Sequence, residues 1–262
     1  MDTGIQVIEY LPSLEKLCDL QRRIALVHPF LSKLFPVVLV DGKEFILYDY
    51  DAGNQAYRFI KKTPVPTRIP EGVRAAMPLS FLANRMACVI TADAFDSIEG
   101  HILIFHEFIH CQQGETIEKD LKRTLGIYKE ARTRKDDHWE LDYPFPYSDQ
   151  QFIQLYLSFL KEIEGGNAEM TRLIRRQLQA RLKKSEFEYM VWLEWKEGLA
   201  RYIENLIRIN LGIPENHYGA EEPFNRIVFY EGGSRYIRFL LQRNPEKQAD
   251  LDWLFKALYY VI

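Results

Sequence analysis

Cysteine is scarce in this 262-residue chain: Cys18, Cys88 and Cys111 are the whole complement. The count is odd and no two of them stand at a metal-finger spacing, which argues against a disulfide framework and against a cysteine-based zinc module. No uninterrupted apolar run is long enough to span a bilayer, and no charged leader with an apolar core and a small-residue cleavage site opens the chain. Together these absences lead us to expect a reducing, cytoplasmic setting with no membrane contact. Neither sign of charge dominates. With 34 Lys+Arg against 37 Asp+Glu the formal net charge is −3, so no electrostatic footprint for nucleic acid or an anionic surface is present. Internal repeats, heptad arrays and low-complexity tracts are missing too. What remains, 47% hydrophobic and 27% charged residues, is an ordinary globular composition. The length suffices for a sizeable core, as one large domain or two packed subdomains.

The apolar spacing of Leu14, Leu17, Cys18 and the run from Leu20 to Leu26 predicts a helix over 12–35. The period then changes. Two β-rich runs, Phe35 to Val40 and Lys43 to Tyr48, flank Asp41-Gly42 and predict a hairpin. Pro64, Pro66 and Pro70 make 63–72 a loop, and 85–91 reads as a short strand. Asp93, Asp96 and Ser97 offer N-caps for a helix starting near Ile98. Beyond Gln113 the chain turns polar, so 114–150 reads as a polar surface insertion. From 151 onward helices are expected over roughly 151–163, 167–183, 186–211, 224–242 and 248–260, punctuated by Gly165-Gly166, Gly212 and Pro214. Arg172, Arg175, Arg176, Arg181, Lys183 and Lys184 read as a solvated basic helix face.

The stretch that carries chemistry is Ile102-Leu103-Ile104-Phe105-His106-Glu107-Phe108-Ile109-His110-Cys111-Gln112-Gln113. It contains His-Glu-x-x-His on a segment long enough for three helical turns. Residues four apart lie one above the other on a helix, so His106 and His110 project from one face. Two imidazoles so placed fit two corners of a tetrahedral zinc site, and Glu107 then stands beside a zinc-activated water as candidate general base. Cys111 adjoins His110, and neighbours in sequence do not share a helix face, so it is expected to be packed. His28 and His101 are expected to be structural.

A hydrolytic zinc site needs a third protein ligand. The run Trp192-Leu193-Glu194-Trp195-Lys196-Glu197-Gly198-Leu199-Ala200-Arg201-Tyr202 resembles the element that supplies it in gluzincins, the zinc peptidases with two His of His-Glu-x-x-His and a Glu from a later helix. The likeness is to the aminopeptidase-N-like branch, and it implies Glu197 as third ligand in a His₂Glu site, a set zinc accepts. On that likeness, Gly198 and Ala200 would let this helix approach the metal helix closely. Phe229-Tyr230-Glu231-Gly232-Gly233 is similar to a Tyr-x-x-Gly element of the same branch, which implies Tyr230 as a phenol stabilising the oxyanion. His217 is the reserve for that role, since it lies where thermolysin-like members carry a histidine. The resemblance also makes 85–91 the candidate edge strand pairing with an extended substrate, while an interior strand fits the same residues equally well. Two departures limit it: 87 positions separate His110 from Glu197, longer than in that branch, and its Gly-x-Met-Glu-Asn element is absent. Aminopeptidase specificity is therefore not inherited.

The expected architecture is α+β. An N-terminal α/β subdomain, 1–113, carries the His-Glu-x-x-His helix; the polar insertion, 114–150, follows; a helical subdomain, 151–262, carries Glu197, with a cleft between the two halves. The expected function is a zinc-dependent peptidase acting on peptide or protein substrates, with one Zn²⁺ on His106, His110 and Glu197 and with Glu107 and Tyr230 catalytic. The alternative is a catalytically silent binding or regulatory protein on the same fold. An intact Glu107 disfavours it, because a site that only binds metal has no need of that carboxylate.

Overall fold

The computed structural model describes residues 10–65, 69, 70 and 72–260. The chain is α+β, with a five-stranded mixed sheet in its N-terminal half and a largely helical C-terminal half. It divides into two compact units, Met1–Thr116 with Leu206–Pro214, and Ile117–Asn205 with Glu215–Ile262.

In the first unit, α1 (Leu11–Ile24) opens with proline in its first turn, where the missing N–H costs nothing, and buries Leu14, Leu17, Cys18, Leu20 and Ile24. The helix ends well short of residue 35. Pro29 forces its predecessor into extended backbone, and His28 accordingly sits at φ −154°, ψ 142°, its Nδ1 accepting from the Phe30 N–H at 3.3 Å. The hairpin forms as expected between β1 (Val37–Asp41) and β2 (Glu44–Asp51), with Gly42 at φ +58° in its two-residue turn. Then come β3 (Ala56–Pro64), β4 (Arg74–Leu79) and β5 (Arg85–Thr91), in the order β3-β2-β1-β5-β4.

β5 is not an edge strand. It pairs parallel with β1 and antiparallel with β4, and the open edges belong to β3 and β4. Its residues Met86 to Ile90 are all buried, the continuous apolar run of a strand covered on both faces. One face of the sheet presents Val38, Phe45, Leu47, Leu79, Ala87 and Val89 to a cluster completed by Val40, Ile69, Val73 and Phe81. Against the other face lies α2 (Ile98–Thr116), packed on β4 and β5, with Gly114 against Met86. The Ser97 side chain caps this helix, accepting from Gly100 N–H at 3.1 Å.

The second unit begins with two short helices, α3 (Glu118–Thr124) and α4 (Gly126–Arg134), and a single helical turn at Trp139–Asp142. This polar stretch nevertheless buries Leu121, Leu125, Ile127, Ala131 and Trp139. α5 (Gln150–Glu164) and α6 (Ala168–Arg181) form a helical hairpin. Asp149 and Asn167 cap them, accepting from Phe152 N–H at 2.8 Å and Met170 N–H at 3.2 Å. α7 (Lys184–Asn210) is 27 residues long, and α8 (Val228–Leu241) and α9 (Leu251–Tyr260) complete the unit.

Arg175 departs from the solvated basic face expected of it. It lies on the same side of α6 as Ile174 and Leu178 and is fully buried, as is its partner Glu194 of α7. Two parallel bonds, Nη1 to Oε1 at 2.8 Å and Nη2 to Oε2 at 2.5 Å, join them. Tyr156 donates to the same carboxylate at 2.8 Å, and Nη2 also donates to the Leu258 carbonyl at 3.0 Å. The carboxylate meets the charge and both Nη groups find acceptors, which offsets much of the cost of taking the guanidinium out of water, while Nε stays buried without a partner.

Candidate metal centre

On α2 the residues flanking the motif, Ile102, Ile104, Phe105, Phe108 and Ile109, are buried, so the helix is held on nearly every side and its polar groups are fixed in place. His106 and His110 are themselves 7% and 6% exposed, and their rings lie 4.9 Å apart between centroids. His106, His110 and Glu197 each offer one ligand atom, and these atoms all lie within 4.8 Å of one another. Zinc bonds of about 2.0–2.2 Å in a tetrahedron set ligand atoms roughly 3.3 Å apart, so closing onto one ion asks for shifts of about 1.5 Å at most. Among the described residues no other group of three or more His, Cys, Asp or Glu side chains meets the same test.

The tautomer fits as well. Gln113, one turn beyond His110 and fully buried, brings Oε1 to 2.9 Å from His110 Nδ1. An acceptor at that position keeps the proton on Nδ1 and leaves the Nε2 lone pair for a metal, the device by which outer-shell groups orient ligating histidines. The donor set, its spacing and this tautomer all suit zinc.

Glu107 is 9% exposed on the same helix. It lies near Cys88 of β5, whose thiol is pushed up by burial and further by the Glu107 charge. Glu204 and Glu194, the two α7 carboxylates nearest in sequence to Glu197, are committed elsewhere. Glu204 accepts from Asn216 Nδ2 at 2.9 Å and lies 3.5 Å from Arg201 Nε, and Glu194 holds Arg175. Lys196, next to Glu197, faces Glu140 at 2.8 Å and Glu118 at 3.4 Å. Burial alone would depress its ammonium, but the charges of Glu140, Glu118 and Glu197 outweigh that and push it up, so it stays positive.

Gly198 does make a close approach, but its partner is α8 rather than the metal helix. A Cβ on Gly198 would meet Gly233 Cα at 2.6 Å, and one on Gly233 would meet the Glu194 carbonyl oxygen at 2.3 Å. Only glycine fits on either side of such a crossing. The contact lies one residue from Glu197 and three from Tyr230, which explains their proximity. Burial pushes the Tyr230 phenol up and the Glu197 charge adds to it, while Arg226 acts against both. The guanidinium carbons of Arg201 and Arg226 lie 5.9 Å and 5.7 Å from the Tyr230 ring centroid. The hydroxyl makes no hydrogen bond among the described residues.

His217 is turned to a different partner. Its Nδ1 lies 2.8 Å from Oε1 of Glu231, a fully buried carboxylate that also accepts from Arg235 Nε at 2.5 Å. His101 stays structural, with Nδ1 2.8 Å from the Ser97 carbonyl oxygen and its ring against Phe95. Cys111, like Cys18 and Cys88, is a buried free thiol. Gln113, Arg226 and Glu231 had no signal in the sequence that set them apart from other polar residues. Only the place of Gln113 three residues after His110 could have suggested it. No helix among the described residues is long and apolar enough to cross a membrane. No family model matches the chain, and neither a curated protein nor a solved structure shows detectable similarity to it.

Proposed function

We propose that this chain is a zinc-dependent peptidase that hydrolyses peptide bonds with a metal-activated water. The observation that carries the reading is the mutual approach, within 4.8 Å, of ligand atoms from His106, His110 and Glu197. Zinc held by these residues would lower the pKa of water toward neutrality and act as a Lewis acid. Glu107 would take the proton from the attacking water and deliver it to the leaving amide nitrogen. The Tyr230 hydroxyl would donate to the carbonyl oxygen as negative charge develops there. Its raised pKa keeps it protonated for that task. Gln113 would hold His110 in the metal-binding tautomer throughout. An extended peptide has the open edge of β4 for main-chain pairing, since β5 is occupied on both sides. Three buried free thiols suit a reducing, cytoplasmic setting.

The test is Glu107→Gln. The amide keeps the size of the side chain but cannot accept the proton, so the variant should bind zinc as wild type does and lose cleavage across a peptide library. Undiminished turnover would remove Glu107 from the mechanism. Absence of any cleavage by the zinc-loaded wild type would favour a protein that binds without turning over.

A further inference from the structure

Among the described residues, buried and half-buried arginines are paired with acids, with one exception. Arg74, Arg175, Arg201, Arg208, Arg235 and Arg238 each have a carboxylate oxygen within 4.0 Å, on Asp93, Glu194, Glu204, Glu99, Glu231 and Glu215 respectively. Arg226 is half-buried like several of these, yet among the described residues its guanidinium has no carboxylate partner and makes no hydrogen bond. Its neighbours are phenols: it lies over the Tyr230 ring, and its charge works against the upward shift that burial gives Tyr147, Tyr189 and Tyr230. Glu221 and Glu222, close in sequence, are exposed and do not reach it. Arg226 also stands two residues before α8, whose N-cap residue Ile227 has no side chain to cap the first-turn N–H groups. The positive end of that helix adds to the field of the guanidinium.

A half-buried guanidinium has given up part of its hydration and offers a rigid fork matched to a carboxylate. The ring it lies against is also within the field of Glu197, which the Gly198–Gly233 crossing brings near. Tyr230 is therefore a neighbour shared by this unmatched charge and the candidate metal ligand. An extended peptide covers roughly 3.3–3.6 Å per residue, so a carboxylate on Arg226 would belong to a residue within about two positions of a carbonyl at Tyr230.

We propose that Arg226 is the specificity-determining residue of the site, selecting peptides that carry a carboxylate within about two residues of the scissile bond. The inference rests on the peptidase reading for the identity of the ligand. The carboxylate is either a free C-terminus or an acidic side chain, and matched peptides separate the two.

The experiment measures binding, so that it does not depend on turnover. Zinc-loaded Glu107→Gln protein is titrated calorimetrically with N-acetyl tetra-alanine as the free acid and as the amide. The amide carrying glutamate or glutamine at its third position is titrated in parallel. A charge-assisted pair should favour the carboxylate member of at least one set by about tenfold to a hundredfold. Preference within the first set identifies a C-terminal carboxylate, and preference within the second an acidic side chain. Adding Arg226→Gln should collapse the ratio toward one, and Arg226→Lys, which keeps the charge without the fork, should retain a reduced preference. The Lys variant also guards against loss of fold in the Gln variant. Equal affinities within both sets, no measurable binding of any of the four, or a preference that survives Arg226→Gln would overturn the assignment. A carboxylate preference without cleavage by wild type would leave Arg226 in place and refute the peptidase reading instead.

Discussion

Replacing Gln113 by leucine removes the acceptor that faces His110 while roughly preserving volume in a fully buried position. The wild-type contact is 2.9 Å long, and the residue is 0% exposed, so no water stands ready to replace the amide oxygen. Two outcomes follow for the imidazole. Either Nδ1–H is left buried without an acceptor, at about 1–3 kcal/mol, or the proton moves to Nε2 and must return before a metal can bind. Each 1.4 kcal/mol is about a factor of ten, so zinc affinity should fall by roughly ten- to a hundredfold, the range expected for groups that orient a ligating histidine. Chelator competition on metal-stripped protein reads this directly. Gln113→Glu keeps the acceptor and should bind zinc at least as tightly as wild type. If Gln113→Leu matched wild type in affinity while Gln113→Glu did not, the residue would be filling space and the tautomer argument would fail.

Glu194→Ala should cost about 3–5 kcal/mol of stability, because it strands the fully buried Arg175 guanidinium; urea denaturation measures it. The paired change Arg175→Met with Glu194→Leu should be milder than the single one, and a loss under 1 kcal/mol for Glu194→Ala would show that the pair is solvated. Acid should weaken the fold through Glu140. Burial alone would raise its carboxyl, but Lys196 and Lys122 outweigh that and hold it at about 2, below its ordinary 4.5. A depressed carboxyl contributes stability that is complete above about pH 4.5 and is lost as pH falls toward 2. Glu140→Gln should therefore flatten the stability–pH curve in that window, and an unchanged slope between pH 5 and pH 3 would contradict the coupling.

Local patterns were legible in the sequence and partner choices were not. The His-Glu-x-x-His spacing is a property of one helix, so His106 and His110 could be placed on a common face before any fold was known. The hairpin at Gly42 is equally local. The C-terminal helices fall within a few residues of their expected limits because apolar period and glycine punctuation agree there. Glu197 required a resemblance, since nothing local ties it to residues 87 positions earlier. Where the reading missed, a tertiary neighbour decided. β5 became interior because β4 pairs with it, and Gly198 opened toward Gly233 rather than α2. Arg175 left solvent because Glu194 could take both prongs of its fork. Gln113 and Arg226 carry roles set by what they face or fail to face, which composition and period do not encode.

The central claim is that His106, His110 and Glu197 form one zinc site, and zinc affinity across a set of carboxylate variants tests it most directly. Wild type should hold about one zinc per chain after mild dialysis, and His106→Ala should lose it. Glu197→Ala should weaken binding sharply in chelator competition. Glu204→Ala, whose carboxylate is committed to Asn216 and Arg201, should bind zinc as wild type does. Wild-type affinity in Glu197→Ala, or a greater loss in Glu204→Ala, would contradict the account and move the third ligand elsewhere.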